Sequence, residues 1–428
     1  MNANAGPDKH RRNPVVRYFR TLGPGLVTGA ADDDPSGVTT YAVAGAAFGT
    51  GMLWTAVLTL PLMAAIQLIC ARIGVVSGRG LAGAMRAHYP RWYLYAACVL
   101  LLVANVFNIA ADLAGMADAA EMLTGITSGL WVPVFGLIVL AVTMYSSYVN
   151  FAAALKWLTA VLFAYVISAF LAHPQWSAAL RDTLLPRLSL DAAAVSTLVG
   201  ILGTTISPYL FFWQASQEVE EERALGRRTV RERHGATDDE LRDVRRDVMT
   251  GMVFSNVVMY FIILAASATL NRAGRVDIET SRQAAEALRP LAGNAAYLLF
   301  TLGLVGTGLL AIPVLAGSAS FAVAEVFGWR SGLDLPPRRA RRFYTVLGGA
   351  IVAGALLDSL NVSAVRMMFL SAVVNGLLAA PLLVLVMLVG NNRTIMGSRV
   401  NDRWLNVLGW TATALMAVAT LLFFWTSL

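Results

Sequence analysis

Three consecutive carboxylates, Asp32, Asp33 and Asp34, stand before Pro35, Ser36 and Gly37 inside an apolar stretch running from about Gly23 to Gly51. A charge at the centre of a bilayer costs roughly 2.5–3.5 kcal/mol on insertion scales, so acids there usually mark an ion or substrate pathway. Carboxylate, carbonyl and water ligands select hard cations such as Mg2+, Ca2+ or Mn2+. Proline removes a backbone donor and biases the residue before it away from helical geometry. The helix is therefore expected to unwind around Asp34 to Gly37. Unwound backbone at membrane depth persists only where it is buried in protein or lines a polar cavity. Consecutive helical residues point about 100° apart, so the three acids are not equivalent. Asp34, at the break, is the expected ligand. Asp33 and Asp32 face a water-filled vestibule or pair with another helix.

A second interruption lies in "GTTISPYLFFWQAS", from Gly203, where Thr204, Thr205, Ser207 and Pro208 break an apolar run. One proline alone reads as an ordinary membrane-helix kink. Two interruptions at corresponding places in two halves of a chain point to a transporter's midplane site. Asn105, Asn108 and Asp112 fall at i, i+3 and i+7, on one helical face. That stripe either lines an ion or proton path or makes interhelical hydrogen bonds. Asn375 carries the same two readings. Lys156 lies near the start of its span, so no intramembrane cation stands opposite the acids.

The elements that position these residues follow from composition. The 428-residue chain is 57% hydrophobic and only 14% charged, with mean hydropathy +0.62. Soluble domains have roughly 45–50% apolar and about 25% charged residues, so the composition is that of a polytopic membrane protein. A spanning helix needs about 20 mostly apolar residues. Eleven stretches are candidates, the ninth a short one: 23–49, 51–75, 93–121, 129–148, 152–172, 194–217, 248–271, 291–323, 343–358, 364–389 and 404–427. The net charge of +7 comes from loop arginines suited to an anionic leaflet, which argues against a nucleic-acid partner. With the N-terminus inside, 26 of the 33 Lys and Arg fall on the cytoplasmic side, which places the C-terminus outside.

The expected organisation is a cytoplasmic tail (1–22), a five-helix repeat (23–172), a second such repeat (194–389) and an eleventh helix (404–427). An odd number of helices per repeat forces the two repeats into inverted orientation. The basic start followed by a long, acid-bearing apolar run reads as a retained first helix rather than a cleaved leader. The densely charged segment 218–247 reads as a solvated cytoplasmic helix with i,i+4 pairs. Cys70 and Cys98 lie inside spans and imply no disulfide framework.

At the level of motifs the chain resembles the NRAMP family of divalent-metal transporters, and more closely its divergent, methionine-lacking branch. Gly23-Pro24-Gly25 and Asp34-Pro35-Ser36-Gly37 match the family's Gly-Pro-Gly and Asp-Pro-Gly-Asn. "ARIGVVSGRGLA" from Ala71, Ala111-Asp112-Leu113-Ala114-Gly115 and "GTTISPYLFFWQAS" match further family stretches. "AGSASF" near 316 and "MGSRVN" extend the likeness in weaker form. The resemblance implies an all-α, LeuT-type five-plus-five inverted repeat with discontinuous helices 1 and 6. It also implies a metal site on Asp34, Gly37, Thr204 (through its carbonyl) and Ser207. Two departures bear on the ion. Gly37 replaces an asparagine, and Ser207 replaces the methionine whose sulfur favours transition metals. The family's two helix-6 histidines fall on Tyr209 and Gln214, and its helix-3 glutamate on Gly115. Tyr209 and Gln214, with Asp33, Asp112, Asn108 and Asn375, are the expected vestibule or pathway residues.

The leading expectation is a secondary transporter, in the cell membrane, that imports a divalent cation by alternating access, with Mg2+ ahead of Mn2+. The cation is substrate, no cofactor is expected, and a monomer in the lipid bilayer is the expected state. Two alternatives share the fold: an organic amine or amino-acid transporter, in which Asp34 binds an ammonium, and a proton-coupled transition-metal transporter. Enzymatic function is not expected, since the chain shows no nucleophile–base pair, His-rich motif or P-loop.

Overall fold

The computed structural model describes residues 23–145, 160–187, 189–358 and 362–427. The tail 1–22, Lys156 and the first part of the expected span 152–172 lie outside the described residues. Among those described there is no strand, and fifteen helices have eight or more residues. In chain order they are α1 (Pro24–Asp32), α2 (Pro35–Phe48), α3 (Trp54–Ser77), α4 (Leu81–His88), α5 (Arg91–Thr124), α6 (Ser128–Tyr145), α7 (Phe163–Leu171) and α8 (Trp176–Leu184). There follow α9 (Ala192–Thr205), α10 (Pro208–Ala224), α11 (Asp238–Thr269), α12 (Ala296–Phe327), α13 (Arg341–Asp358), α14 (Ala364–Gly390) and α15 (Arg403–Ser427).

Eight of the expected spans are long and apolar enough to cross a membrane by themselves, with α9–α10 counted as one. The first span is divided between α1 and α2, and the fifth is only partly described. The ninth, α13, is a helix of 18 residues that carries Arg341, Arg342 and Asp358 at its ends. The α9–α10 unit is interior: 94% of its most apolar stretch is buried, against 28% for α6 and for α15, which face outward. Around it, α1 and α2 pack on α11, α9 on α14, α10 on α3 and α12, and α5 on α12, α13 and α14.

Both breaks are built the same way. Helix α1 ends at Asp33 (φ −87, ψ 50), Asp34 is extended (φ −68, ψ 169), and Pro35 opens α2. Helix α9 ends at Ile206 (φ −116, ψ 59), Ser207 is extended (φ −78, ψ 128), and Pro208 opens α10. Proline at the first helical position has no donor to strand and a φ already suited to the helix. The expected unwinding over Asp34 to Gly37 is thus corrected: the chain opens at Asp33 and Asp34, and Ser36 and Gly37 are already helical.

The charged segment also differs from a free solvated helix. It is the end of α10, a short turn of helix at Val230–Arg233 and the start of α11. Arg223–Glu220, Arg242–Asp239 and Arg246–Asp243 pair at i,i+3, while Arg227 joins Glu222 and Glu240 across the turn. Glu218, Glu222, Arg233 and Asp247 are buried rather than solvated. Cys70 and Cys98 are free thiols.

Candidate cation site at the paired helix breaks

The broken first span delivers Asp34 to the protein interior, 2% exposed. As the N-cap of α2 its Oδ1 accepts from the Gly37 amide at 2.6 Å and from Ser36 Oγ at 2.7 Å. Capping satisfies helix donors that would otherwise be orphaned, and it fixes the carboxylate at the gap between the two half-helices. A Cβ at Gly37 would lie 3.2 Å from the Asp32 carbonyl oxygen and 3.3 Å from Asp34 Oδ1. The absent side chain therefore leaves room for the carboxylate and the freed carbonyl.

The second break meets the first through Tyr41. Thr204 Oγ1 donates to the Ile201 carbonyl at 3.0 Å and lies 3.1 Å from the Tyr41 hydroxyl. The Tyr41 ring borders the space over Gly37, its Cε2 at 3.6 Å from the Cβ position. Ser207 turns back on α9: its Oγ donates to the carbonyls of Gly203 at 2.9 Å and Thr204 at 2.6 Å. The two neutral groups expected to contact an ion are thus tied to one another. Tyr209, one turn into α10, donates to the Ala31 carbonyl at 2.8 Å and so pins the end of α1 to α10.

From α5, Asp112 comes to the same place. Its carboxylate is an electrostatic neighbour of Asp34 and approaches the Ser36 amide, but neither oxygen closes a hydrogen bond. Asp32 and Asp33 turn to α11, where Ser255 Oγ donates to Asp32 Oδ2 at 2.6 Å and lies 3.3 Å from Asp33 Oδ1. Among the described residues no group of three or more His, Cys, Asp and Glu side chains forms a ready metal cage. The arrangement offers carboxylates, hydroxyls and opened backbone, all oxygen.

The other expected pathway residues are committed to interhelical bonds. Asn108 and Asn375 form a reciprocal amide pair, with Asn108 Nδ2 to Asn375 Oδ1 at 2.7 Å and Asn375 Nδ2 to Asn108 Oδ1 at 3.0 Å. Asn105 Nδ2 donates to the Leu315 carbonyl and to Ser318 Oγ on α12. Gln214 accepts from Thr28 Oγ1 at 2.5 Å and donates to Glu218 at 2.8 Å, about two turns from the break. Gly115, where the resemblance places a glutamate, is filled by the Met368 side chain.

Three residues escaped the sequence reading. Tyr41 is one apolar-looking aromatic among many, and Ser255 one hydroxyl in an apolar run. Asp247 looks like part of the charged loop. In the fold its carboxylate accepts from the amides of Gly23 at 2.8 Å, Gly25 at 2.6 Å and Leu26 at 3.1 Å, capping the start of α1. Only their partners, more than a hundred positions away, mark the three out.

Two broken helices packed among apolar, membrane-length helices belong to a multi-pass membrane protein of the five-plus-five inverted-repeat class. The same fold occurs in the Eremococcus coleocola manganese transporter in complex with an aromatic bis-isothiourea compound. That match has TM-score 0.75 at 20% identity, covering 98% of this chain and 87% of that one. It occurs also in Mhp1, a nucleobase-cation-symport-1 family transporter, in a closed conformation (TM-score 0.56, 14% identity, covering 95% and 93%). The family model described as "Natural resistance-associated macrophage protein-like" matches residues 25–426, and the chain belongs to this Nramp family. Among its relatives is the divalent metal cation transporter MntH of Klebsiella pneumoniae (strain 342), 28% identical over 406 residues, covering 92% of this chain and 91% of that protein. The MntH protein of Yersinia pestis (strain Pestoides F) is 28% identical over 407 residues, covering 93% of each.

Proposed function

We propose that the protein is a secondary transporter, not an enzyme, that imports a divalent metal cation, Mg2+ ahead of Mn2+, by alternating access around the two breaks. Asp34 supplies the charge. The Thr204 carbonyl, the Ser207 hydroxyl and the open backbone beside Gly37 supply neutral oxygen, and retained water completes the shell. The machine's two halves are residues 23–172 and 194–389, the helix 404–427 is an addition, and the tail 1–22 is cytoplasmic, with eleven spans and an outer C-terminus.

The observation that carries this reading is a buried carboxylate between two opened helices with hydroxyl and carbonyl oxygens of both breaks beside it, the Met368 sulfur being engaged by Thr39 farther along α2. Hard, reluctantly dehydrated Mg2+ suits oxygen ligands and water, whereas soft thioether favours other metals. The relatives named as divalent metal cation transporters support the class of ion. The test is flux in proteoliposomes with Mg2+, Mn2+ and an organic amine side by side. Uptake of Mg2+ and Mn2+ is expected, and Asp34→Asn is expected to abolish both. Normal divalent uptake by that variant, or amine uptake without metal uptake, rejects the assignment.

A further inference from the structure

The Asp34 site uses one of three consecutive acids. Asp32 and Asp33 are 1% and 0% exposed, and they share a single hydroxyl hydrogen, that of Ser255. Their remaining oxygens, Asp32 Oδ1 and Asp33 Oδ2, are buried without a hydrogen-bond partner. None of the ion pairs among the described residues includes either acid. On a continuous helix these neighbours would diverge by about 100°. Asp33 leaves helical geometry, and this lets adjacent carboxylates converge on one residue of α11. Buried charges are ordinarily paired or coordinate a metal, because desolvation without compensation costs several kcal/mol per ion.

We propose that Asp32, Asp33 and Ser255 form a second cation site, separate from Asp34, that takes a hard divalent cation. Every donor is oxygen, and two carboxylates balance a dication. The two unpartnered oxygens are the ligands left over once Ser255 has taken its share, and water fills the remaining positions, as such ions allow. The inference goes beyond the transport reading, since it concerns the side of the break that faces α11, and a bound ion there does not itself have to move.

The test is Mn2+ stoichiometry on the purified full-length chain in lipid nanodiscs, read as free Mn2+ by electron paramagnetic resonance with Mg2+ as competitor. The wild type is expected to bind two Mn2+, both displaced by Mg2+. Asp34→Asn keeps the second ion, and Asp32→Asn with Asp33→Asn keeps only the first. Ser255→Ala removes one hydroxyl and nothing else, and is expected to weaken the second ion at least tenfold. It carries the test should the double variant fail to fold. A single equivalent in the wild type overturns the proposal, as does a second equivalent indifferent to Ser255→Ala. Loss of the second ion in the double variant, with both retained in Asp34→Asn, would leave this site standing while removing the Asp34 reading.

Discussion

Ser207 shows how one side chain sets the chemistry of a break. Its hydroxyl hydrogen is shared between two α9 carbonyls, and those bonds leave the oxygen lone pairs unused as hard donors. Replacing it with a thioether changes donor softness without adding charge. Ser207→Met is expected to raise the ratio of Cd2+ to Mg2+ uptake about tenfold, measured as competing fluxes in proteoliposomes, because soft ligands select softer ions. An unchanged ratio would place Ser207 outside the ion's shell. The companion position does not lend itself to the same exchange. A Cβ at Gly37 crowds the Asp32 carbonyl and the capping oxygen of Asp34, so an asparagine there disturbs the ligand it would be meant to assist. The family resemblance marks this position as one that lacks an asparagine, and the packing shows how close the Asp32 carbonyl and the Asp34 cap lie to it.

Helix α1 is a short element held at both ends by other parts of the chain. At its start Asp247 accepts from three amides, and at its end Tyr209 grips the Ala31 carbonyl. Between them, Thr28 reaches Gln214, and a Cβ at Gly29 would run into the backbone of Gly251 on α11. An unsatisfied buried donor costs roughly 1–3 kcal/mol, so removing the cap should free the N-terminal end of α1 first. In an otherwise cysteine-free chain carrying Leu26→Cys, Asp247→Ala is expected to speed labelling by a maleimide several-fold. Equal rates with and without Asp247 would show that the cap does not hold α1 in place. This element also shows what was legible. Pro35 and Pro208 announce the breaks through local stereochemistry. Asp247 announces nothing, because its partners lie more than 200 positions away and Arg245 and Arg246 just before it are exposed charges.

Across the whole molecule, periodicity and hydropathy reveal the spans because the bilayer imposes length and apolarity on each one separately. They do not reveal which helix touches which, since lipid tails and helix faces are equally apolar. The charged segment 218–247 was misleading for a related reason: charge density reads as solvation until distant partners, such as the Gly78 carbonyl that accepts from Arg233, are brought beside it. The polar stripe of α5 was legible as a stripe, but its use was not. Asn105 is spent on α12, Asn108 on α14, and only Asp112 reaches the breaks without a hydrogen-bond partner. The fold thus joins its two repeats through side chains that a one-dimensional reading can place on a face but cannot pair.

The reciprocal amides of Asn108 and Asn375 have a consequence for heredity. Each supplies the donor and the acceptor that the other needs, across 267 positions of chain. Asn108→Leu or Asn375→Leu alone strands a buried amide and is expected to cost roughly 1–3 kcal/mol. The double replacement should cost less than the sum of the two, as a double-mutant cycle of thermal denaturation in detergent would register. Strict additivity would mean that the amides do not depend on one another. If they do, a descendant that loses one asparagine is under pressure to lose the other, and two distant positions are inherited as a single character.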